Sequence, residues 1–150
     1  MEEMKQNIVP SFICPGAAKS GTTTLFSILE THMGIYLYSG KEIGYFGKGD
    51  RYSKGYNWYK KNYFSENKSN KVSGDISTNY MTYSKLAAKR IYETLGPEVK
   101  LIFILRNPAK RAFSHYKMRK FNNLSEEEDF SSLVSKLVFD KKAFSKAYTD

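Results

Sequence analysis

Residues 8–25, IVPSFICPGAAKSGTTTL, decide the fold of this chain. Ile8 to Cys14 is a short apolar run that ends at Pro15-Gly16, and it reads as a buried strand meeting a turn. From Thr22 to Met33, Leu25, Ile28, Leu29 and His32 recur at helical spacing, so a helix follows. The loop between them has the context an anion needs. Free N–H groups at a helix N-terminus converge on one spot, and the helix dipole favours negative charge there. Gly16 and Gly21 let the backbone approach an oxygen closely, Thr22, Thr23 and Thr24 add hydroxyl donors, and Lys19 adds a full positive charge. The segment reads as a phosphate loop.

It is not the loop of a nucleoside triphosphatase. That pattern, GxxxxGK[ST], fits Gly16 and Gly21, but the next residue is Thr22, and the lysine sits inside the loop at Lys19. The usual contact to β- and γ-phosphates is missing, and no strand ends in an aspartate placed to hold magnesium. ATP hydrolysis is therefore disfavoured and no metal is expected.

Outward from the loop, Ile35 to Tyr38 is extended and Tyr56 to Phe64 is a short aromatic helix. Ser65 to Lys71 is a polar surface loop, Val72 to Ser77 another strand, and Ser84 to Leu95 a helix stopped by Gly96-Pro97. Val99 to Leu105, VKLIFIL, is nearly continuous in large or β-branched residues, the pattern of a strand buried on both faces of a parallel sheet. Asn107 is placed to cap, and Pro108 to begin, a helix running to about Phe121. An acidic loop, Ser125 to Asp129, and an amphipathic piece, Phe130 to Lys142, complete the chain. Strands alternating with helices predict an α/β fold, a three-layer sandwich with a central parallel β-sheet, in one domain over residues 1–150.

A second anion site is written into residues 105–116, LRNPAKRAFSHY. Arg106 closes the Val99–Leu105 strand, where its fork can clamp a phosphate at the carboxyl edge of the sheet. Ser114 lies two turns into the next helix, with its hydroxyl within reach of a phosphate lying along it. Lys110 and Arg111 add charge, and His115 reads as a surface residue.

At these two places the chain resembles the PAPS-dependent sulfotransferases, in particular the heparan-sulfate and bacterial branch. Lys19, Ser20, Gly21, Thr22 and Thr23 resemble that family's 5′-phosphosulfate loop, with Ser20 where the pattern has a smaller residue. Arg106 to Tyr116 resembles its 3′-phosphate motif, R-(D/N)-P-x-x-R-x-x-S-x-Y. The resemblance implies 3′-phosphate contacts from Arg106 and Ser114, with Arg111 and Tyr116 structural. Lys41 to Phe46, KEIGYF, resembles K-E-x-H-(Y/F)-F, in which the glutamate is the catalytic base, so Glu42 is implied as base. Gly44 stands where the family commonly has histidine. Gly74 to Tyr80, GDISTNY, resembles G-E-x-(S/T)-P-x-Y, with Asp75 for Glu and Thr78 for Pro. Gly55 to Tyr59, GYNWY, resembles G-x-x-W-Y. These two blocks are expected to line or support the acceptor cleft, Trp58 as a packed core residue, and Asp75 is the second choice for base.

The resemblance spans about residues 8–121 and implies a P-loop-like sulfotransferase fold. It also implies PAPS as cosubstrate with PAP as product, a hydroxyl or amine acceptor such as a carbohydrate, and Lys19 opposite the leaving phosphate oxygen. Family members continue well beyond this length, so the chain reads as the N-terminal, PAPS-binding portion of a truncated domain: a fragment, a natural short form, or a chain completed by a partner. Two other classes compete: a non-catalytic PAP- or polyanion-binding module, and a P-loop nucleotide kinase.

Composition agrees with these readings without choosing among them. The 150 residues are 41% apolar and carry a net charge of +9, which suits an anionic nucleotide or an acidic polysaccharide. No nucleic-acid partner is called for. The single cysteine, Cys14, excludes an internal disulfide framework and suits a reducing compartment. No run approaches the roughly 18 apolar residues of a membrane span, and no signal sequence opens the chain, so a cytoplasmic protein without a membrane segment is expected.

Overall fold

A computed structural model describes residues 9–68, 71–122 and 129–139. The chain divides into two compact units, residues 1–105 and 106–150.

The first unit is built on four strands: β1 (Phe12–Gly16), β2 (Ile35–Leu37), β3 (Val72–Ile76) and β4 (Lys100–Phe103). They pair in the order β2-β3-β1-β4, every pair parallel. β1 is central and wholly buried because its alternating side chains feed two cores. Phe12 and Cys14 face Phe26, Leu25 and Leu29 of helix α1 (Thr22–Glu30), with Ile76 beside them. Ile13 faces an aromatic core on the other side. That core holds Tyr59 of α2 (Tyr56–Tyr63), Tyr80 of α3 (Asn79–Thr82), and Ala87, Ile91 and Leu95 of α4 (Ser84–Leu95). Helix, sheet and helices thus form the expected three layers. Trp58 is only partly buried; it packs on the edge of the aromatic core, 5.7 Å from Tyr63, with the Lys54 ammonium 4.8 Å above its ring. Gly74 opposes Phe12 in the register, and a side chain there would stand 2.1 Å from the Phe12 ring. Only glycine fits, which explains the first residue of the GDISTNY block.

Three expectations need correction. β1 starts later and ends later than the apolar run, so Pro15 and Gly16 lie inside the strand. α1 stops at Glu30; His32 leaves the helix and its Nδ1 accepts the Gly34 N–H at 3.1 Å. The third concerns β4, which is not buried on both faces. Among the described residues it is an edge strand paired only with β1, and Leu101 and Phe103 are 50% and 54% exposed. An apolar, β-branched run states what a strand suits, not how many neighbours it finds.

The second unit holds α5 (Pro108–Phe121) and α6 (Phe130–Phe139). Asn107 caps α5 as expected, its Oδ1 accepting the Lys110 N–H at 3.1 Å, with Pro108 in the first turn. Tyr116 is buried among aromatic rings, near Phe113 and 5.5 Å from Phe130. Residues 140–142 of the expected final helix and 125–128 of the acidic loop lie outside the described residues.

Candidate active site

Because all four strands are parallel, the segments leaving β1, β2 and β3 emerge at one carboxyl edge, where α/β folds bind ligands. The β1 exit is the phosphate loop. It is pinned to the residue that follows β4 by Ala17 N–H donating to Ile104 O and Ile104 N–H donating to Gly16 O, both at 2.9 Å. Lys19 and Gly21 adopt left-handed backbone, φ 65° and 108°. Gly21 is the N-cap of α1 and provides no side-chain cap, and the first turn holds no acidic residue. The helix N-terminus is therefore left for an external anion. Ser20 Oγ is buried with no hydrogen-bond partner among the described residues, and Thr22 is buried at the helix start. A buried hydroxyl in want of a partner at a helix N-terminus fits an oxygen-rich phosphosulfate group.

The β2 exit carries Lys41 and Glu42. Both are left-handed, φ 40° and 51°, a conformation that L-residues hold only when their surroundings impose it. Those surroundings are the β3 exit. Glu42 N–H donates to Ile76 O at 3.2 Å, and Gly44 N–H donates to Ser77 Oγ at 3.0 Å. The Glu42 carboxylate accepts the Thr78 N–H at 2.7 Å and the Thr78 hydroxyl at 3.1 Å. Its side chain remains 44% exposed. Tyr45 and Phe46 follow in the same loop. Both are buried in the aromatic core, Tyr45 stacked 4.2 Å from Tyr59, and they anchor the loop from below.

Lys41 joins the two exits: its Nζ donates to Thr23 Oγ1 at 2.9 Å and stands 3.7 Å from Glu42 Oε1. Sequence reasoning missed this bridge, and it missed Thr78 and Ser77 as the props of Glu42. The signal for Thr78 was present, since a proline there has no N–H to give.

Asp75 is not placed as a base. It is fully buried, and its carboxylate accepts Ser77 Oγ at 2.5 Å and the Tyr59 and Tyr80 hydroxyls at 2.6 Å each. Burial raises its pKa against the lowering effect of those three donors. Burial and the Asp75 charge together hold both tyrosines well above the usual phenol range. Cys14 is buried and its thiol pushed up by desolvation, so it is inert as a nucleophile.

In the second unit Arg106 precedes α5 and is exposed, while Ser114 lies within α5 and is half-buried.

The fold is that of an α/β protein with a phosphate-loop-like turn at the carboxyl edge of a parallel sheet. Residues 10–148 match the sulfotransferase domain, and the chain belongs to the sulfotransferase family. It is 36% identical over 116 residues to the membrane-associated sulfotransferase kil1 of Dictyostelium discoideum, covering 76% of this chain and 24% of that protein. It is 31% identical over 109 residues to mouse heparan sulfate glucosamine 3-O-sulfotransferase 5, covering 72% of this chain and 30% of that protein. A bifunctional heparan sulfate N-deacetylase/N-sulfotransferase 1 of Caenorhabditis elegans is 33% identical over 72% of this chain and 13% of its own length. The chain thus spans less than a third of each of these relatives. The crystal structure of a sulfotransferase from Alicyclobacillus acidocaldarius superposes with a TM-score of 0.71 at 26% identity, over 93% of this chain and 60% of that one.

Proposed function

We propose that this chain forms the donor-binding and base-bearing part of a PAPS-dependent sulfotransferase acting on a hydroxyl or amine of a carbohydrate. The observation that carries the reading is the meeting of phosphate loop and carboxylate at one sheet edge, with Lys41 bonded to Thr23 and paired with Glu42. Lys19, Ser20, Gly21, Thr22 and Thr23 take the 5′-phosphosulfate; Arg106 and Ser114 take the 3′-phosphate. A cleft at the end of β2, lined by Tyr36, Tyr38, Asn62, Ser65 and Glu66, has the rings and polar groups that suit a sugar.

The reaction is an in-line displacement at sulfur. Glu42 takes the acceptor proton as the acceptor oxygen or nitrogen forms its bond to sulfur. The bond from sulfur to the bridging phosphate oxygen breaks, and Lys19 with the N–H groups of the α1 terminus stabilises the charge left on PAP. These groups supply the charge, so no metal is required. Among the described residues no helix is long and apolar enough to cross a membrane. With one buried cysteine, a cytoplasmic site of action suits the chain.

Calorimetry with PAP and AMP, followed by a transfer assay, tests the reading. PAP binding, transfer that survives EDTA, and loss of transfer in Lys19→Ala are expected. Full activity in Lys19→Ala overturns the role of the loop. PAP binding without transfer points instead to a binding module, and magnesium-dependent ATP binding to a kinase.

A further inference from the structure

We propose that Asp75 and Ser77 form a positioning relay for Glu42, in which the buried carboxylate directs the Ser77 hydroxyl and that hydroxyl fixes the turn carrying the base. The inference rests on the reading of Glu42 as base and goes beyond it by naming what holds the base in place. A serine hydroxyl has one proton. At 2.5 Å from Asp75 Oδ1 that proton is committed to the carboxylate. Ser77 Oγ therefore presents only lone pairs to Gly44, whose N–H it accepts at 3.0 Å. Gly44 closes a turn in which residues 41, 42 and 44 are all left-handed, with φ of 40°, 51° and 67°. A turn of that kind persists only where several bonds over-determine it. Among the bonds that hold it, three tie it to the β3 exit: Glu42 N–H to Ile76 O, Gly44 N–H to Ser77 Oγ, and Thr78 N–H to Glu42 Oε2. The middle one traces back to a buried charge.

The setting makes a purely structural explanation of Asp75 costly. Residue 75 sits on the face of β3 that meets the aromatic core, between Tyr59 and Tyr80, with no exposed surface. An apolar residue packs there without desolvating a carboxylate, whereas a carboxylate is tolerable only when fully hydrogen-bonded. Its remaining oxygen, Oδ2, is saturated by two tyrosines from two different helices. Those contacts leave Asp75 no freedom to rotate, so the direction imposed on Ser77 is fixed by α2, α3 and β3 together. In Asp75→Asn the amide offers a donor toward Ser77, which frees the hydroxyl proton and removes its preference for facing Gly44 as an acceptor.

The test reads the turn directly, by amide hydrogen exchange at Gly44, with Ser11 as the control because its N–H, just before β1, donates to Ser73 O of β3. Asp75→Asn is expected to speed exchange at Gly44 about tenfold or more while Ser11 stays protected. In the transfer assay, with PAPS as donor and desulfated heparan sulfate as acceptor, kcat falls about tenfold or more, with KM for PAPS and affinity for PAP little changed. Ser77→Ala, a smaller disturbance, gives the same pattern should Asp75→Asn fail to fold. Unchanged exchange at Gly44 overturns the relay. Faster exchange shared equally by Gly44 and Ser11 also overturns it, since Asp75 then serves the fold alone. Failure of the parent reading has another signature: the unaltered protein binds no PAP, while exchange at Gly44 still answers to Asp75.

Discussion

Lys41 Nζ lies 2.9 Å from Thr23 Oγ1, so the side chain that precedes the proposed base is hydrogen-bonded to the loop proposed to hold the donor. The same ammonium is 3.7 Å from Glu42 Oε1. One cation thus ties together a helix start and a carboxylate 19 residues further along the chain. Glu42→Gln keeps the Thr78 contacts in shape but removes the proton acceptor. It is expected to leave PAP affinity intact and to lower transfer by a factor on the order of 10²–10⁴. Wild-type transfer in Glu42→Gln, measured in a chain shown to be active, shows that the base lies elsewhere.

The 3′-phosphate distinguishes PAP from AMP, and Arg106 is the side chain assigned to read it. Loss of one charge-assisted contact costs about 1.5–3 kcal/mol. Arg106→Ala should weaken PAP by that amount and leave AMP nearly unchanged. Titration calorimetry with both nucleotides decides the matter, and an equal loss for the two removes Arg106 from that role.

Gly44 stands where the resembling motif has histidine, which invites the substitution Gly44→His. The structure predicts no benefit. Gly44 has φ of 67°, and a Cβ there lies 3.0 Å from Asn79 Nδ2. Left-handed backbone in a residue with a side chain costs about 1–2 kcal/mol, and Asn79 must also shift. Gly44→His should lower the thermal midpoint without raising transfer. A gain in activity at unchanged stability contradicts this account of the turn.

The buried tyrosines give the protein an alkaline limit. Tyr59 and Tyr80 have folded-state pKa values well above the ordinary 10.0, because of burial first and then the Asp75 charge. A group whose pKa is raised on folding contributes stability that is complete below its unfolded pKa and is lost as pH rises through the folded one. Stability should therefore decline from about pH 10 upward. Tyr59→Phe removes one of these titrating groups, and its urea midpoint should fall less steeply with pH than that of the parent protein. Identical slopes argue that Tyr59 does not control alkaline unfolding.

Much of this was legible before any coordinates. The strand–loop–helix at residues 12–30 announces itself because an apolar run, glycines and a helical repeat are local features, each readable within a few positions. The same holds for Asn107 and Pro108 at the start of α5 and for Gly96 after α4. Lys19 and Glu42 were visible through the company of their immediate neighbours. What local pattern does not carry is adjacency between strands. VKLIFIL reads as a strand buried on both faces, yet among the described residues β4 lies at the edge, since pairing order is set by how the whole sheet assembles.

The α/β alternation and the two anion motifs could be read from the sequence alone, because these depend on residue type and short spacing, while Glu42 was singled out as base through its motif's resemblance to a family. Only the tertiary structure decided what holds that base. Thr23, Lys41, Ser77 and Thr78 come from three separate strand exits, and they meet because parallel strands deliver those exits to one edge. It also set the two carboxylates apart in their surroundings. Glu42 and Asp75 are equally acidic on paper, but one lies exposed on a strained turn and the other is buried under two tyrosines and a serine. Burial and hydrogen-bond saturation arise from long-range packing, and no spacing along the chain encodes them.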